Sequence, residues 1–272
     1  NMKSKVLTKP IYFAFSYDEE IGCLAGPALA EAIKNTYTER PEFAIIGEPS
    51  NMRPVIGQKG ICVLETTVKG SAGHSSRIMQ EVSAVHVAAK LIIWLETKME
   101  KLSTSGNKNE RFSPSHTTLH CGMVKGGIAP NVIADTCTFY WDIRVIPEDD
   151  VFVIIDEFIS YTKELESELK LKYSETEINT RINHPPVPPL GTSEDSEIVP
   201  LIQKITGNNA LSTVSYAAEA GQFANEGFKT VICGPGDIAQ AHRANEFIEI
   251  SQLEACLNML ENLVDTFSQN YK

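Results

Sequence analysis

The 272-residue sequence has no block of basic residues, no C-x-x-C pair, no long apolar run and no internal repeat. Each lack removes a class of function. Lys and Arg total 24 against 35 Asp and Glu, a formal net charge of −11, so neither nucleic acid nor an anionic membrane surface is an expected partner. Six cysteines, Cys23, Cys62, Cys121, Cys137, Cys233 and Cys256, stand far apart among mostly apolar neighbours. That is the pattern of reduced, buried thiols rather than of a disulfide framework. No stretch approaches the roughly 18 apolar residues of a membrane span and no signal-peptide pattern opens the chain, so a cytoplasmic protein is expected.

What is present is an alternation of short apolar runs and helical periods. "PIYFAFS" (10–16) reads as a buried strand, and Leu24, Ala28, Leu29, Ala32 and Ile33 predict a helix from Ile21 to about Asn35. "FAIIGEP" (43–49) is a second strand, ending on Glu48. Strand, helix and strand on this scale predict a βαβ unit in a parallel sheet, where sites form beyond the carboxyl ends of the strands.

The middle of the chain keeps a different rhythm. "GICVLETTVKG" (60–70) alternates, Val82, Val85, Ala88, Ile92, Leu95 and Met99 mark a helix, and "TTLHCGMVKGG" and "DTCTFYWDIRV" read as two strands. A helix carrying Val151, Ile154, Ile155, Phe158, Leu165 and Leu169 on one face follows, then a strand near "TEINTRI". This βαββαβ order predicts a ferredoxin-like domain. "NHPPVPPLGTSED" (183–195) reads as the return connection. The α/β rhythm then resumes with a helix at Ile198–Ile205, a strand in "KTVICGPG" and a closing helix with Leu253, Cys256, Leu257, Leu260, Leu263 and Phe267 on one face. The expected division is 1–57 and 182–272 for an α/β catalytic domain and 58–181 for an inserted domain.

The chemistry-bearing candidates sit at the predicted strand ends. In "FSYDEEIGC" two adjacent carboxylates, Glu19 and Glu20, can take different roles: one tied to a divalent metal, its neighbour free to accept a proton from water. A DEE run at a helix start is more often plain N-terminal charge. Glu48 in "IIGEPS" reads alone as a loop carboxylate, yet acids converging at one sheet edge repel unless a cation or proton holds them. His242 in "GPGDIAQAHRANE" completes, beside carboxylates, an N/O ligand set that zinc accepts. His74 in "GSAGHSS" suits polarising a substrate carbonyl better than a nucleophile relay. Asn131 follows two glycines in "VKGGIAPN", so backbone and amide can approach a ligand, and Arg144 in "DIR" can fork a carboxylate. A tight hairpin and a surface ion pair account for these two equally well.

These motifs in this order, with "IIGEPSNMRPVIGQKG", "GGIAPNVI", "AAEAGQF" and "CGPGDIAQAHRANEF", resemble the M20 family of metallopeptidases and amide hydrolases. The resemblance implies a three-layer αβα catalytic domain, zinc-peptidase-like and incomplete at its N-terminus, with an inserted ferredoxin-like lid and dimerisation domain. It implies two Zn2+ ions per subunit, with Co2+ an alternative, held in part by Glu20, Glu48 and His242. Glu19 is then the general base, His74 an oxyanion donor reaching across a homodimer, and Asn131, Arg144, Gly221 and Glu219 contacts to substrate.

The implied reaction is hydrolysis of the acyl amide of a small N-acyl amino acid, N2-acetyl-L-ornithine foremost. Succinyl-diaminopimelate, other N-acyl amino acids and dipeptides are alternatives, as is a non-catalytic dimeric binding module. The family takes a first histidine ligand and a bridging aspartate from a segment before the DEE strand, and no such segment precedes it here. Little activity and weak metal binding are therefore expected of this chain. Ala218 stands where the family usually has Thr, which removes a hydroxyl beside Glu219.

Overall fold

The computed structural model describes residues 6–269. Packing divides the chain into two compact units, one running up to Gly60 and resuming at Val187, the other Ile61–Pro186.

The first unit opens with β1 (Val6–Leu7), α1 (Gly26–Thr36), β2 (Phe43–Pro49) and β3 (Val55–Gln58). The second contains β4 (Gly60–Lys69), β5 (Gly73–His74), α2 (Ala84–Ser105), β6 (Thr118–Gly126), β7 (Val132–Ile133), β8 (Thr136–Val145), α3 (Val151–Lys170) and β9 (Glu177–Ile182). The chain returns through β10 (Leu190–Gly191), α4 (Ile198–Thr206), β11 (Ser212–Val214), α5 (Ala220–Asn225), β12 (Lys229–Gly234), α6 (Ile250–Thr266) and β13 (Ser268–Gln269).

In the first unit the strands lie in the order β10-β3-β12-β2, with β11 also paired to β3. The expected parallel sheet is in fact mixed: β12 runs parallel to β2 and β11 to β3, whereas β3 is antiparallel to both β10 and β12. Alternation along the strands sends side chains to opposite faces. Phe43 and Ile45 of β2 and Val231 and Cys233 of β12 pack with α4 and α6 around Ile202 and Met259. Ala44 and Ile46 turn the other way, towards Ala30 of α1 and Phe223 and Phe228 around α5. Helices therefore cover both faces.

Two expectations fail here. Residues 10–16 form no strand, and Phe13 and Phe15 are exposed. A strand is stable only with a ladder partner, and among the described residues none pairs with this run. Tyr12 instead packs its ring against that of Tyr37, tilted with centroids 4.2 Å apart, and donates to Glu39 O. The first helix starts at Gly26, five residues beyond the expected Ile21, because Gly22 (φ 118°) and Cys23 (φ 54°) adopt left-handed backbone that no helix continues. Pro27 then opens the first turn, where its missing N–H costs nothing.

The second unit is a β-α-β-β-α-β succession with sheet order β6-β8-β4-β9, apart from the short pair β5–β7. Cys62, Leu64 and Val68 of β4 and Phe139, Trp141 and Ile143 of β8 face α2 and α3 and are fully buried with Leu91 and Phe158. Ser83 caps α2 by accepting from His86 N, and Asp150 caps α3 by accepting from Phe152 N. Trp141 donates its indole N–H to Thr66 at 3.0 Å, so the largest core side chain carries no unpaired polar atom.

Candidate active site

In the first unit, four carboxylates gather at the carboxyl end of β2. Glu48 is the penultimate residue of β2, Glu19 and Glu20 lie in the turn before α1, Glu219 immediately precedes α5, and His242 follows the short 3-10 turn Ile238–Gln240. The sheet permits this crowding by a close approach: a Cβ on Gly234 would stand 2.1 Å from Gly47 O, so only glycine lets β12 lie against β2 there. Asp18 (φ 58°), Cys23 (φ 54°) and His242 (φ 60°) all hold left-handed backbone. At about 1 to 2 kcal/mol each, such conformations persist only where surrounding contacts fix them.

Those contacts are specific. Ser16 donates to Glu219 Oε2 at 2.8 Å, Gln222 donates its amide to Cys23 O at 3.0 Å, and the Cys23 thiol lies 3.4 Å from Glu19 Oε1. Tyr216 donates to Pro49 O at 3.3 Å, next to Glu48. His242 Nε2 stands 3.1 Å from Glu20 Oε2, and both side chains are largely exposed.

The electrostatics follow from burial without a cation. Glu48 is half-buried, and burial first, then the charges of Glu19, Glu219 and Glu20, push its carboxyl up to about 7. Burial likewise raises Glu219, against the Ser16 hydrogen bond that lowers it, with Glu19 adding to the rise. Burial and the Glu19 charge raise the Cys23 thiol, which is therefore an inert donor rather than a nucleophile. Burial and Glu48 lift Tyr216 to about 12.

Of the expected metal ligands, Glu20 and His242 are brought into contact, and Glu48 lies within electrostatic reach of Glu20. Among the described residues no three His, Cys, Asp or Glu side chains close into a metal-holding group. Imidazole and carboxylate donors are nonetheless the chemistry a zinc-like ion takes, and the elevated Glu48 is a carboxyl in want of a positive neighbour. Gly221 is buried, and a Cβ there would meet Pro188 O at 2.0 Å, so close packing alone requires glycine at that position.

In the second unit, the β5–β7 pair sets His74 opposite Val132, and Ser75 N donates to Asn131 O at 3.0 Å. His74 and Asn131 are thus neighbours, both exposed. Arg144 is not with them: it lies eight residues along β8 from Thr136, about 27 Å at 3.4 Å per residue. Its guanidinium Nε lies 3.4 Å from Asp142 Oδ1, and both side chains are partly exposed.

Ser16, Cys23, Tyr216 and Gln222 were missed in the sequence. Gln222 had one available signal, its position three residues after Glu219 on a helix, which places the two on one face.

A mixed sheet covered on both faces, with four acids gathered at the carboxyl end of β2 and a separate sheet-and-helix unit inserted in the sequence, defines an α/β protein of two units. The model of a family described as "Peptidase dimerisation domain" matches residues 56–170. Acetylornithine deacetylase from Aliivibrio salmonicida is 31% identical over 97% of this chain and 67% of its own length; that from Myxococcus xanthus is 30% identical over 98% and 67%. A tripeptidase structure from Staphylococcus aureus shares the fold at TM-score 0.67 and 20% identity, over 92% of this chain and 62% of that one. The chain belongs to the M20 peptidase family. It spans about two thirds of the length of these relatives.

Proposed function

We propose that the protein hydrolyses the amide of an N-acyl amino acid, with N2-acetyl-L-ornithine as substrate and acetate and ornithine as products. The observation that carries this reading is the gathering of Glu19, Glu20, Glu48 and Glu219 around one strand end, with Glu48 raised to about 7 and His242 3.1 Å from Glu20. A purely structural surface has no use for four converging acids.

In this reading Glu20, Glu48 and His242 hold zinc, the ion on which the family usually depends. When bound, zinc makes water a nucleophile near neutral pH. Glu19 takes a proton from the attacking water, whose oxygen bonds to the acyl carbon. The His74 N–H hydrogen-bonds the developing oxyanion, and the C–N bond breaks as Glu19 passes the proton it took from water to the leaving amine nitrogen. Asn131, Arg144, Gly221 and Glu219 are assigned to substrate recognition. The second unit, in its ferredoxin-like strand order, is assigned as lid and homodimer contact, and the protein is assigned to the cytoplasm.

The test is acetate release from N2-acetyl-L-ornithine by the gene product containing this chain, with zinc added, beside N-succinyl-diaminopimelate, other N-acyl amino acids and dipeptides. Acetylornithine is expected to be the best substrate, and Glu19→Gln to lower kcat at least about 100-fold with zinc retained. Full turnover in Glu19→Gln overturns the base assignment. Absence of hydrolysis with zinc stoichiometrically bound overturns the reaction and leaves a dimeric binding module.

A further inference from the structure

His74 ends β5 and caps the 3-10 turn Ser75–Arg77 with extended backbone (φ −74°, ψ 138°). Its ring folds back over that turn. Nδ1 lies 3.3 Å from Ser76 N and 2.8 Å from Ser76 Oγ. A backbone N–H can only donate, so Nδ1 is an acceptor and carries no proton. The Ser76 hydroxyl then donates to the same lone pair. The opposite assignment, Nδ1–H donating to Oγ, would set two N–H groups against each other. Turning the ring over would put Cδ2 against both Ser76 donors and lose both contacts.

We propose that Ser76 is a positioning residue that fixes the neutral His74 imidazole as the Nε2–H tautomer. The nitrogen facing away from the turn is thereby the donor. Backbone geometry holds the arrangement, because the turn that presents Ser76 N to the ring starts where the ladder to β7 ends, at His74 opposite Val132. Ser75 N, donating to Asn131 O at 3.0 Å, locks the first residue of that turn to the neighbouring loop. The catalytic meaning rests on the hydrolase reading above: an oxyanion donor must carry its proton on the outward nitrogen before substrate arrives, or the ring must first exchange protons with solvent.

The protein contains its own reference. Nδ1 of His116 lies 3.1 Å from Thr117 O and Nδ1 of His184 lies 3.0 Å from Pro185 O. A carbonyl only accepts, so these rings carry the proton on Nδ1, the reverse of His74. A long-range 1H–15N correlation on the 15N-histidine-labelled chain, at a pH above the ordinary imidazole range, reads all three at once. The His74 pattern is identified by its loss in His74→Gln.

The expected result is His74 protonated on Nε2, opposite to His116 and His184. Ser76→Ala, which keeps the backbone N–H and removes the hydroxyl, is expected to lower the Nε2–H preference several-fold, and Ser76→Thr to restore it. His74 showing the same tautomer as His116 and His184 overturns the proposal, as does a tautomer ratio untouched by Ser76→Ala. In the hydrolase assay, Ser76→Ala is expected to lower kcat several-fold with KM held and Ser76→Thr to recover it. A shifted tautomer in a protein that hydrolyses nothing leaves the Ser76 assignment standing and overturns the function instead.

Discussion

Glu48 is where the acid cluster reveals its energetics. Its carboxyl, raised from 4.5 to about 7, is harder to ionise in the fold than in the unfolded chain. The fold is therefore favoured while both states are protonated, below about 4.5, and that advantage is lost as the pH rises through about 7. For the chelator-treated chain, urea unfolding is expected to show higher stability near pH 5 than near pH 8. Glu48→Gln, which stays neutral, should remove roughly 1 to 3 kcal/mol of that difference, less than the full conversion of the shift because the side chain is only half-buried. An undiminished pH difference in Glu48→Gln would place its origin elsewhere. Glu219 Oε1 and Gln222 Oε1 pose a related problem, both buried acceptors without a donor. An amide at 219 supplies one, so Glu219→Gln is expected to raise the thermal midpoint or hold it, whereas Glu219→Ala, which also loses the Ser16 contact, is expected to lower the midpoint and cost about 1 to 3 kcal/mol of stability.

Elements with a strong period were legible in the sequence, and those fixed by distant partners were not. The helices from Ala84, Val151 and Ile198 and the strands β2, β4, β6, β8, β9 and β12 fall where spacing predicted them, because their faces pack locally regular cores; the helix from Ile250 also forms, but Leu253 and Leu257 of its predicted face are exposed while Cys256, Leu260 and Leu263 pack. β3, β10, β11 and α5 went unread: strands of two to four residues and a six-residue helix hold too few positions to show a period. The run at 10–16 was misread for the complementary reason, since composition made it apolar but strand pairing is not written locally. The site divides the same way. Glu19, Glu20, Glu48, Glu219 and His242 were legible through their motif settings, while Ser16, Cys23 and Tyr216 act through folding contacts that no motif displays. Gly234 belongs to this scale, because it lets two strands meet. Gly234→Ala forces a Cβ into Gly47 O, 2.1 Å away and part of the backbone, so β12 must part from β2. A loss of about 2 to 4 kcal/mol in chemical unfolding is expected, against about 1 to 2 for Gly207→Ala, which meets no neighbour and carries only the backbone strain of φ 69°.

At the scale of the whole molecule, the assembly is the property the matched family bears on most directly. The dimerisation match, residues 56–170, takes in β6 and leaves out β9, the two edges of the four-stranded sheet. β6 is also the more exposed edge, with Met123 and Val124 open to solvent and a register shift between Cys121 and Met123. An unpaired edge carrying apolar side chains is a template for a second strand. If two copies join there, sedimentation equilibrium of the chain should give twice its mass. Val124→Lys, a charge of the kind that blocks edge pairing, should then shift the equilibrium towards monomer by tenfold or more without altering the far-ultraviolet spectrum. Lys at Ile178 on β9 serves as the control for the other edge. A dimer indifferent to Val124→Lys and broken by Ile178→Lys would move the contact to the strand outside the matched residues. A monomer at every concentration would remove the homodimer from the reading altogether, and with it the route by which His74 could serve a neighbouring active site.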